Sequence, residues 1–305
     1  MRVVVSGGTG FIGQHLVRLL QDRGDTIVVL TRSASRARQH FPHPPVPEFV
    51  EWSPKTAGPW QKTLDGADAV IHLAGKPIID SAWSDSVRKE LMDSRVLTTR
   101  RLVEGIQSAK QPPSVMISAS AVGYYGDVRQ PVAEDAPPGD GFLAEICVAW
   151  EAAAQPLHAS ATRLVTARIG IVLGTESGAL PKMVTAFKLF AGGYPGSGEQ
   201  HLPWIHWEDA CGMMLWALDQ SDVEGPLNVT APDPPTIKAF TKTLGRVMRR
   251  PSWVPVPGML MRAVAGERAT ALLEGQNAIP HKALNMGYTF TRPRLEGALR
   301  DLLKR

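Results

Sequence analysis

Arg2-Val3-Val4-Val5-Ser6-Gly7-Gly8-Thr9-Gly10-Phe11-Ile12-Gly13 is the stretch that decides the fold. Its valine-rich start predicts a short buried strand, and the apolar residues that follow recur at helical spacing. Gly7 allows a sharp exit from the strand, Gly10 lets the backbone approach a diphosphate, and Gly13 lets the helix pack close to the sheet. The helix N-terminus adds free N–H groups and a partial positive charge. This context disfavours the alternative, a glycine-rich turn without a ligand, and predicts a Rossmann-type dinucleotide site.

The end of the second strand indicates which dinucleotide binds. It reads Leu30-Thr31-Arg32-Ser33 and contains no acidic residue. A site for NAD usually places Asp or Glu there to bind the ribose 2′-hydroxyl. Arg32 instead offers a charge-assisted contact to a 2′-phosphate, and the alternative is an ordinary surface arginine. The predicted cofactor is therefore NADP(H).

Strands and helices alternate along the first part of the chain. Buried apolar runs predict strands near 2–6, 26–30, 49–52, 69–73, 114–118 and 166–173, with helices over 11–22, 84–107 and 142–157. This alternation predicts the α/β class, with a Rossmann-type doubly wound parallel sheet covered on both faces.

Glycine and proline become frequent from about residue 174. We therefore expect an NADP-binding Rossmann domain over 1–173 and a smaller, mostly helical substrate-side lobe over 174–305. Short strands near 204–206 and 227–229 are candidates to complete the main sheet. Helices are expected near 259–275 and 293–303.

Composition limits the classes of function. The 305 residues are 44% hydrophobic and 20% charged, and the net charge is 33 − 29 = +4. This mild basic excess suits an anionic cofactor or substrate but does not indicate nucleic acid. Cys147 and Cys211 have neither metal-ligand nor disulfide spacing, so we expect buried, reduced thiols and no metal site.

The ends and the hydropathy of the chain suggest a location. The first strand begins almost at Met1, which leaves no room for a signal or transit peptide. No apolar run reaches the length that spans a membrane. We therefore expect a cytoplasmic monomer or homodimer that binds a small-molecule substrate, with no membrane or nucleic-acid partner.

Several further motifs resemble one known family. They are His72-Leu73-Ala74-Gly75, Ser118-Ala119-Ser120-Ala121-Val122-Gly123-Tyr124-Tyr125-Gly126, Ala167-Arg168-Ile169-Gly170-Ile171-Val172-Leu173-Gly174, Gly196-Ser197-Gly198-Glu199-Gln200, Trp204-Ile205-His206-Trp207-Glu208-Asp209, Leu273-Glu274-Gly275-Gln276 and Gly287-Tyr288-Thr289-Phe290. With the glycine loop, they cover nearly the whole chain in order. The sequence resembles an extended short-chain dehydrogenase/reductase, and more closely its atypical epimerase-like subgroup, the 39U class.

The resemblance implies an NADP(H) site on the Rossmann core with a small C-terminal lobe over the nicotinamide. For Arg95, an ion pair with Glu90 or Asp93 on the helix surface is the alternative. Together, the loop, the second strand's end and the resemblance give the expected cofactor contacts: Gly7, Thr9, Gly10, Phe11, Ile12, Gly13, Thr31, Arg32, Leu73, Ala74, Gly75, Glu90, Arg95, Ser118, Ile169, Gly170 and Ile171.

The catalytic pattern of the family departs at two positions. A reductase of this type uses Ser, then Tyr, with Lys four residues later to lower the pKa of the Tyr. Ser120 matches the serine, but Phe142 stands at the tyrosine position and Ile146 at the lysine position. Neither side chain moves a proton, which puts the usual chemistry in doubt.

Other polar residues are candidate substitutes. Tyr124 and Tyr125 follow the serine motif at the carboxyl end of a strand, where α/β sites form, so Ser120, Tyr124 and Tyr125 are our tentative catalytic residues. Each has a structural alternative: an aromatic wall or structural tyrosine, and a serine that only hydrogen-bonds. Glu145 is a weaker candidate, since exposed helix carboxylates are common.

His206 and Asp209 are also candidates for an acid/base pair. The structural alternative makes Asp209 the cap of a helix beginning at Ala210, with His206 a hydrogen-bonded strand histidine.

Two functions remain open from the sequence. One is an NADP(H)-dependent, epimerase-like oxidoreductase that acts on a small polar carbonyl or alcohol, or on a nucleotide-sugar-like compound. The other is a non-catalytic NADP(H)-binding sensor or regulatory module, which the missing tyrosine and lysine favour.

Overall fold

A seven-stranded parallel sheet forms the centre of the protein in the computed structural model, which describes residues 1–78, 82–252, 254–259, 263 and 266–304. Its strands are β1 (Arg2–Ser6), β2 (Thr26–Thr31), β3 (Glu48–Glu51), β4 (Ala69–His72), β5 (Val115–Ala121), β7 (Arg163–Ile169) and β11 (Gly225–Val229). Their order across the sheet is β11-β7-β5-β4-β1-β2-β3. The Rossmann-type fold predicted from the sequence is confirmed.

Helices cover both faces of this sheet. The longer ones are α1 (Phe11–Asp22), α3 (Asp85–Gln107), α4 (Phe142–Ala154), α5 (Ala179–Lys188), α6 (Trp207–Asp219) and α7 (Ile237–Met248). Strand residues alternate between the faces, so Val3 and Val5 pack with α1 and α6, whereas Val4 packs with α3. The short helices are α2 (Ala34–Arg38), Thr270–Leu273, His281–Asn285 and Leu295–Leu302.

Three pairs of short strands lie outside the main sheet. They are β8 (Ile171–Leu173) with β10 (Trp204–His206), β9 (Gly193–Pro195) with β12 (Val254–Val256), and β6 (Val128–Val132) with β13 (Gln276–Ala278). A separate core around Phe187, Trp204 and Phe240 lies in the C-terminal part.

The strand order reverses beside β1. The chain runs outward from β1 through β2 to β3, then returns to β4 on the other side of β1 and continues to β5, β7 and β11. Ligands of open α/β sheets bind at such a switch point, outside the carboxyl ends of the strands. The glycine loop follows β1 directly and therefore lies at this point.

Two expectations about the later strands need correction. The strand near 204–206 does not join the main sheet but pairs with β8, whereas 227–229 lies within the edge strand β11. The run predicted as one strand over 166–173 is two strands divided at Gly170. A Cβ at Gly170 would lie 2.2 Å from the Pro203 carbonyl oxygen, so the chain bends where only glycine fits.

Some helix expectations shift as well. The helix expected over 142–157 ends at Ala154, and a 3₁₀ turn follows at Gln155–Ala159. The helix expected over 259–275 is represented by a 3₁₀ turn at Gly266–Ala269 and the helix Thr270–Leu273, while 260–262 and 264–265 lie outside the described residues. The division at residue 173 stays a prediction. Within the described part of the chain, no helix is both long and apolar enough to cross a membrane.

His72 ends the central strand β4 and has no solvent exposure. Its Nδ1 lies 2.5 Å from the Ser6 hydroxyl, and its Nε2 lies 3.0 Å from the Thr99 hydroxyl. Burial lowers the pKa of His72 to about 3, because the charged imidazolium loses its hydration. His72 is therefore a neutral hydrogen-bonding link between β1, β4 and α3.

Because His72 is buried in its neutral form, the free energy of unfolding depends on pH. Below the ordinary histidine pKa, the unfolded chain takes up a proton at His72 that the folded chain refuses, so His72 stabilises the fold near neutrality and loses this contribution as the pH falls. We expect the free energy of unfolding to fall with decreasing pH less steeply in His72→Gln, by up to about 1.4 kcal/mol per pH unit. Urea unfolding of both proteins from pH 7 to 4 measures this, and parallel slopes would contradict it.

Candidate cofactor site and the polar network beside it

The glycine loop is shaped by two close approaches. Gly7 has φ +75°, and a Cβ there would lie 2.6 Å from the Leu73 carbonyl carbon. A Cβ at Gly13 would lie 2.2 Å from the Gly7 oxygen. Gly10 is different, since the nearest atom to a Cβ is the Gly7 oxygen at 3.3 Å and the residue is exposed. Gly7 and Gly13 thus close the loop, while Gly10 leaves its outer side open.

The N-terminus of α1 lies directly above this loop. Gly10 is the N-cap, no side chain caps the helix, and its first turn contains no acidic residue. Thr9 accepts a hydrogen bond from the Gln14 side chain through its carbonyl, at 2.9 Å. The positive end of the helix dipole is therefore available to an anion. The loop fits a dinucleotide diphosphate.

Phe11, which begins α1, has a packing role as well. A Cβ at Gly174, just after β8, would lie 2.2 Å from the Phe11 ring. The ring also meets His15 edge-on at 5.3 Å. Phe11 thus packs the start of α1 against the segment that follows β8.

Arg32 follows β2 and is exposed. Its guanidinium forms no hydrogen bond or ion pair with the residues that the structure describes. The nearest acid in register is Glu51 on β3, which pairs with Thr31. The Glu51 carboxylate accepts the N–H of Ala34, the first residue of α2, at 2.9 Å, whereas Ser33 is the N-cap of that helix. Glu51 is therefore engaged with the backbone and does not pair with the exposed Arg32.

The segment after β4 is held down by Arg95. This side chain is buried and donates to the Leu91 carbonyl at 3.0 Å and the Lys76 carbonyl at 2.9 Å. Its guanidinium also lies 5.1 Å from the Trp150 ring, and a Cβ at Gly75 would lie 3.4 Å from it. Burial lowers the pKa of Arg95.

The surface ion pairs weighed for Arg95 are therefore wrong. Glu90 pairs with Lys76, and Asp93 pairs with Lys89. Arg95 fixes the backbone that follows β4, where Leu73 and Ala74 pass beside Gly7.

The remaining expected contacts lie further along the sheet. Ser118 is buried inside β5, between His72 and Thr166 of the neighbouring strands. The Gly170 N–H donates to the Val229 oxygen at 3.0 Å, and the Ile171 N–H donates to the Pro203 oxygen at 2.7 Å. These two amides are therefore hydrogen-bonded within the protein, and Ser118 is buried inside its strand. Contact of Ser118, Ile169, Gly170 and Ile171 with a cofactor stays a prediction.

A buried ion pair lies next to the tentative catalytic residues. Arg168 on β7 and Glu151 on α4 are 3% and 9% exposed, and two parallel hydrogen bonds of 2.9 Å join them. Ser120 donates its hydroxyl hydrogen to the same carboxylate at 2.7 Å. The Glu151 carboxylate raises the pKa of Arg168 despite its burial. Ser120 is thus part of a charge-stabilising network.

Tyr125 belongs to the same network. Its hydroxyl donates to the Asn228 side chain at 2.8 Å and accepts from Arg168 at 2.9 Å. Burial raises the pKa of Tyr125 to about 12. A catalytic tyrosine needs the opposite shift, toward neutrality. The arrangement does not suit Tyr125 to proton transfer.

Glu134 extends the network to the C-terminal part. Its carboxylate accepts the backbone N–H groups of Asn228 and Lys282, each at 3.1 Å. The Asn228 amide donates to the Ile279 oxygen at 2.9 Å. The buried polar groups therefore connect β7, β11 and the segment after β13.

Tyr124 is half-buried, and its ring lies 3.5 Å from the Arg168 guanidinium carbon. Its hydroxyl makes no hydrogen bond to any described side chain or backbone group. All the Arg168 bonds go elsewhere, to Glu151, Tyr125 and the Glu134 carbonyl. Glu145, the weaker candidate, is exposed on α4.

Phe142 and Ile146 occupy the first turns of α4. Ile146 is 1% exposed and serves the core. Phe142 is half-buried, with the Trp83 ring edge-on at 5.3 Å and the Arg88 guanidinium 4.5 Å above its own ring. We define Phe142, Trp83 and Arg88 as the aromatic cluster. The match of Phe142 to the tyrosine position of the family pattern stays a prediction.

The expected roles of His206 and Asp209 change. Helix α6 begins at Trp207, and His206 caps it by accepting the Glu208 N–H at Nδ1, 3.2 Å away. Asp209 instead accepts the Thr291 and Arg292 N–H groups, at 2.7 and 2.8 Å. The cap prediction for Asp209 is wrong because its carboxylate is used to anchor the C-terminal segment.

His206, Glu208 and Asp301 bring three metal-ligand atoms within 4.8 Å of one another. However, the cap leaves the His206 proton on Nε2, the atom that a metal would need. Arg292 also donates to Asp301 at 2.9 Å and already supplies a positive charge. This grouping does not suit a cation.

Sequence reasoning missed Glu151, Arg168, Asn228 and the partners of Phe142. A signal for the first two exists, because each is a charged residue with apolar residues on both sides in the sequence. Charged residues in buried elements are usually paired, so Glu151 and Arg168 could have been matched. Trp83 and Arg88 gave no comparable signal, since their placement depends on how α3 packs against α4.

Comparison with protein-family models and known proteins agrees with this geometry. Residues 3–230 match the NAD dependent epimerase/dehydratase family, and residues 256–302 match a domain of unknown function, DUF1731. The epimerase family protein YfhF of Bacillus subtilis is 39% identical over 305 residues, covering 99% of this chain and 98% of that protein. Human epimerase family protein SDR39U1 is 38% identical over 308 residues, covering 99% and 100%.

Solved structures give the same grouping. The crystal structure of human SDR39U1 (isoform 2) with NADPH has a TM-score of 0.89 at 36% identity and covers both chains completely. A nucleoside-diphosphate sugar epimerase from Corynebacterium glutamicum has a TM-score of 0.78 at 28% identity, covering 99% of this chain and 58% of that one. The chain therefore belongs to the NAD dependent epimerase/dehydratase family, among the epimerase family proteins that include SDR39U1.

Proposed function

We propose that this protein binds NADP(H) at the glycine loop and uses it as an oxidoreductase of the extended short-chain dehydrogenase/reductase type. The observation that carries the proposal is Arg32, a cation without a partner among the described residues, at the end of β2. The structure of human SDR39U1 with NADPH supports the choice of cofactor. A cytoplasmic location and a monomeric or homodimeric state remain expectations.

The chain's own residues would divide the work of holding the cofactor. The N-terminus of α1 would bind the diphosphate through backbone N–H groups, since no side chain caps it. Arg32 would bind the 2′-phosphate, with Thr31 beside it. Arg95 would not contact the cofactor itself but would hold the backbone around Gly75 in position.

The alternative is a non-catalytic NADP(H)-binding sensor. One specific observation favours it: Ser120 and Tyr125 are both committed to the network around Glu151 and Arg168. Two of the three tentative catalytic hydroxyls are thus already hydrogen-bonded within the protein. The oxidoreductase is kept as the first proposal because Tyr124 and the aromatic cluster are half-buried rather than sealed.

Arg32 gives a test of the cofactor. We expect NADPH to bind at least about tenfold more tightly than NADH, because a 2′-phosphate gains a charge-assisted contact. Arg32→Ala should remove most of this preference by weakening NADPH alone. The matched control is Arg18→Ala, which removes an exposed arginine further along α1. Calorimetric titration of both cofactors into the three proteins measures the six constants, and equal affinities in the unmodified protein would refute the assignment.

Tyr125 gives a test of the network's role. Tyr125→Phe removes a hydroxyl that satisfies both Arg168 and Asn228, so we expect the free energy of unfolding to fall by about 1–3 kcal/mol. The affinity for NADPH should stay unchanged, because the Tyr125 hydroxyl is hydrogen-bonded to Arg168 and Asn228 and stabilises the fold. Urea unfolding and titration measure the two quantities. A variant of unchanged stability that loses NADPH-dependent turnover would show that Tyr125 is catalytic.

A further inference from the structure

The aromatic cluster lies at the edge of the sheet where the proposed cofactor site would meet a second ligand. Helix α4 begins at Phe142, and its first turn packs against the 3₁₀ helix Val122–Tyr125 that follows β5. A Cβ at Gly123 would lie 3.5 Å from the Leu143 Cβ. The start of α4 therefore lies near the carboxyl end of β5, on the side where α/β proteins bind ligands, and the Phe142 ring there contacts Trp83 and Arg88.

The residues around this position supply ring surface rather than a proton donor. Ser120 donates to Glu151, and Tyr125 donates to Asn228. Arg168 has its donors engaged and meets Tyr124 only through the face of the ring. No described cation thus hydrogen-bonds the Tyr124 hydroxyl, which is what a catalytic tyrosine requires to lose its proton near neutrality.

We propose that the second ligand of the NADP(H) site is a planar, conjugated two-electron acceptor of the flavin or quinone type, packed against the rings of Phe142 and Trp83. This deepens the proposed function and rests on it. Reduction of a ketone or aldehyde places charge on one oxygen and needs an acid beside it. A flavin or quinone spreads that charge over its ring system and takes its proton from water.

The redox balance needs nothing else from the protein. NADPH supplies a hydride, that is two electrons and one proton, and is released as NADP⁺. The acceptor gains that hydride and one proton from water to give the dihydroflavin or hydroquinone.

Binding without turnover gives the first test. Riboflavin and menadione are titrated into protein saturated with NADP⁺, following flavin fluorescence and calorimetric heat respectively. Phe142→Leu keeps apolar volume but loses the ring, so we expect about threefold to tenfold weaker binding of both probes, while Phe142→Tyr keeps the affinity. Phe190→Leu is the matched control, because Phe190 is exposed at the end of α5 with Arg250 at 4.7 Å from its ring.

The outcomes separate the two proposals. NADPH affinity is measured first, and its absence would overturn the proposed function. Tight NADPH binding with no binding of either probe, or with equal losses in Phe142→Leu and Phe190→Leu, would overturn the planar acceptor alone. Binding of only one probe supports the inference and assigns the acceptor to that class.

Turnover gives the second test. NADPH oxidation is followed with riboflavin, menadione and benzaldehyde as separate acceptors. We expect turnover with riboflavin or menadione. Its rate should stay constant from about pH 6 to 9, because no acidic group of the protein supplies the proton. Turnover with benzaldehyde alone that disappears in Tyr124→Phe would contradict the inference and make Tyr124 the acid.

Discussion

The buried ion pair between Glu151 and Arg168 is the interaction on which the rest of this end of the molecule depends. It joins α4 to β7 through two hydrogen bonds, and Ser120 completes the carboxylate's environment. Removing one partner of such a pair typically costs about 3–5 kcal/mol, because the other charge stays buried. Tyr125 and the Glu134 carbonyl accept hydrogen bonds from Nη1 of Arg168. The ion pair therefore determines the hydrogen-bond partners of the neighbouring Ser120 and Tyr125 hydroxyls.

This constraint divides the candidate site into two parts. On the β1 and β2 side, the glycine loop, the uncapped N-terminus of α1 and the unpartnered Arg32 among the described residues suit NADP(H). On the β5 side, Ser120 and Tyr125 are hydrogen-bonded within the buried network, and the aromatic cluster lies at the start of α4. The proposed cofactor and the proposed planar acceptor follow from these two parts.

The sequence predicts the first part well and the second part poorly. Gly7, Gly10 and Gly13 act through their own backbone and a local strand–loop–helix pattern, so their spacing is enough to place them. The division at Gly170 depends instead on the distant Pro203 carbonyl. The expected helix cap at Asp209 is likewise replaced by contacts with Thr291 and Arg292. Local patterns do not contain such long-range partners.

The match of Phe142 and Ile146 to the tyrosine and lysine positions rests on spacing alone and stays a prediction. The hydrogen-bond partners of the neighbouring polar residues could not be predicted from the sequence. The bonds that commit Ser120 and Tyr125 elsewhere appear only when α4, β7 and β11 are assembled around Glu151, Arg168 and Asn228. A crystal structure of the protein with NADPH tests this account most directly. The account predicts the 2′-phosphate on Arg32, the nicotinamide facing Phe142, and Tyr125 still bonded to Asn228 and Arg168. A Tyr125 hydroxyl turned out of the network toward the nicotinamide would contradict it.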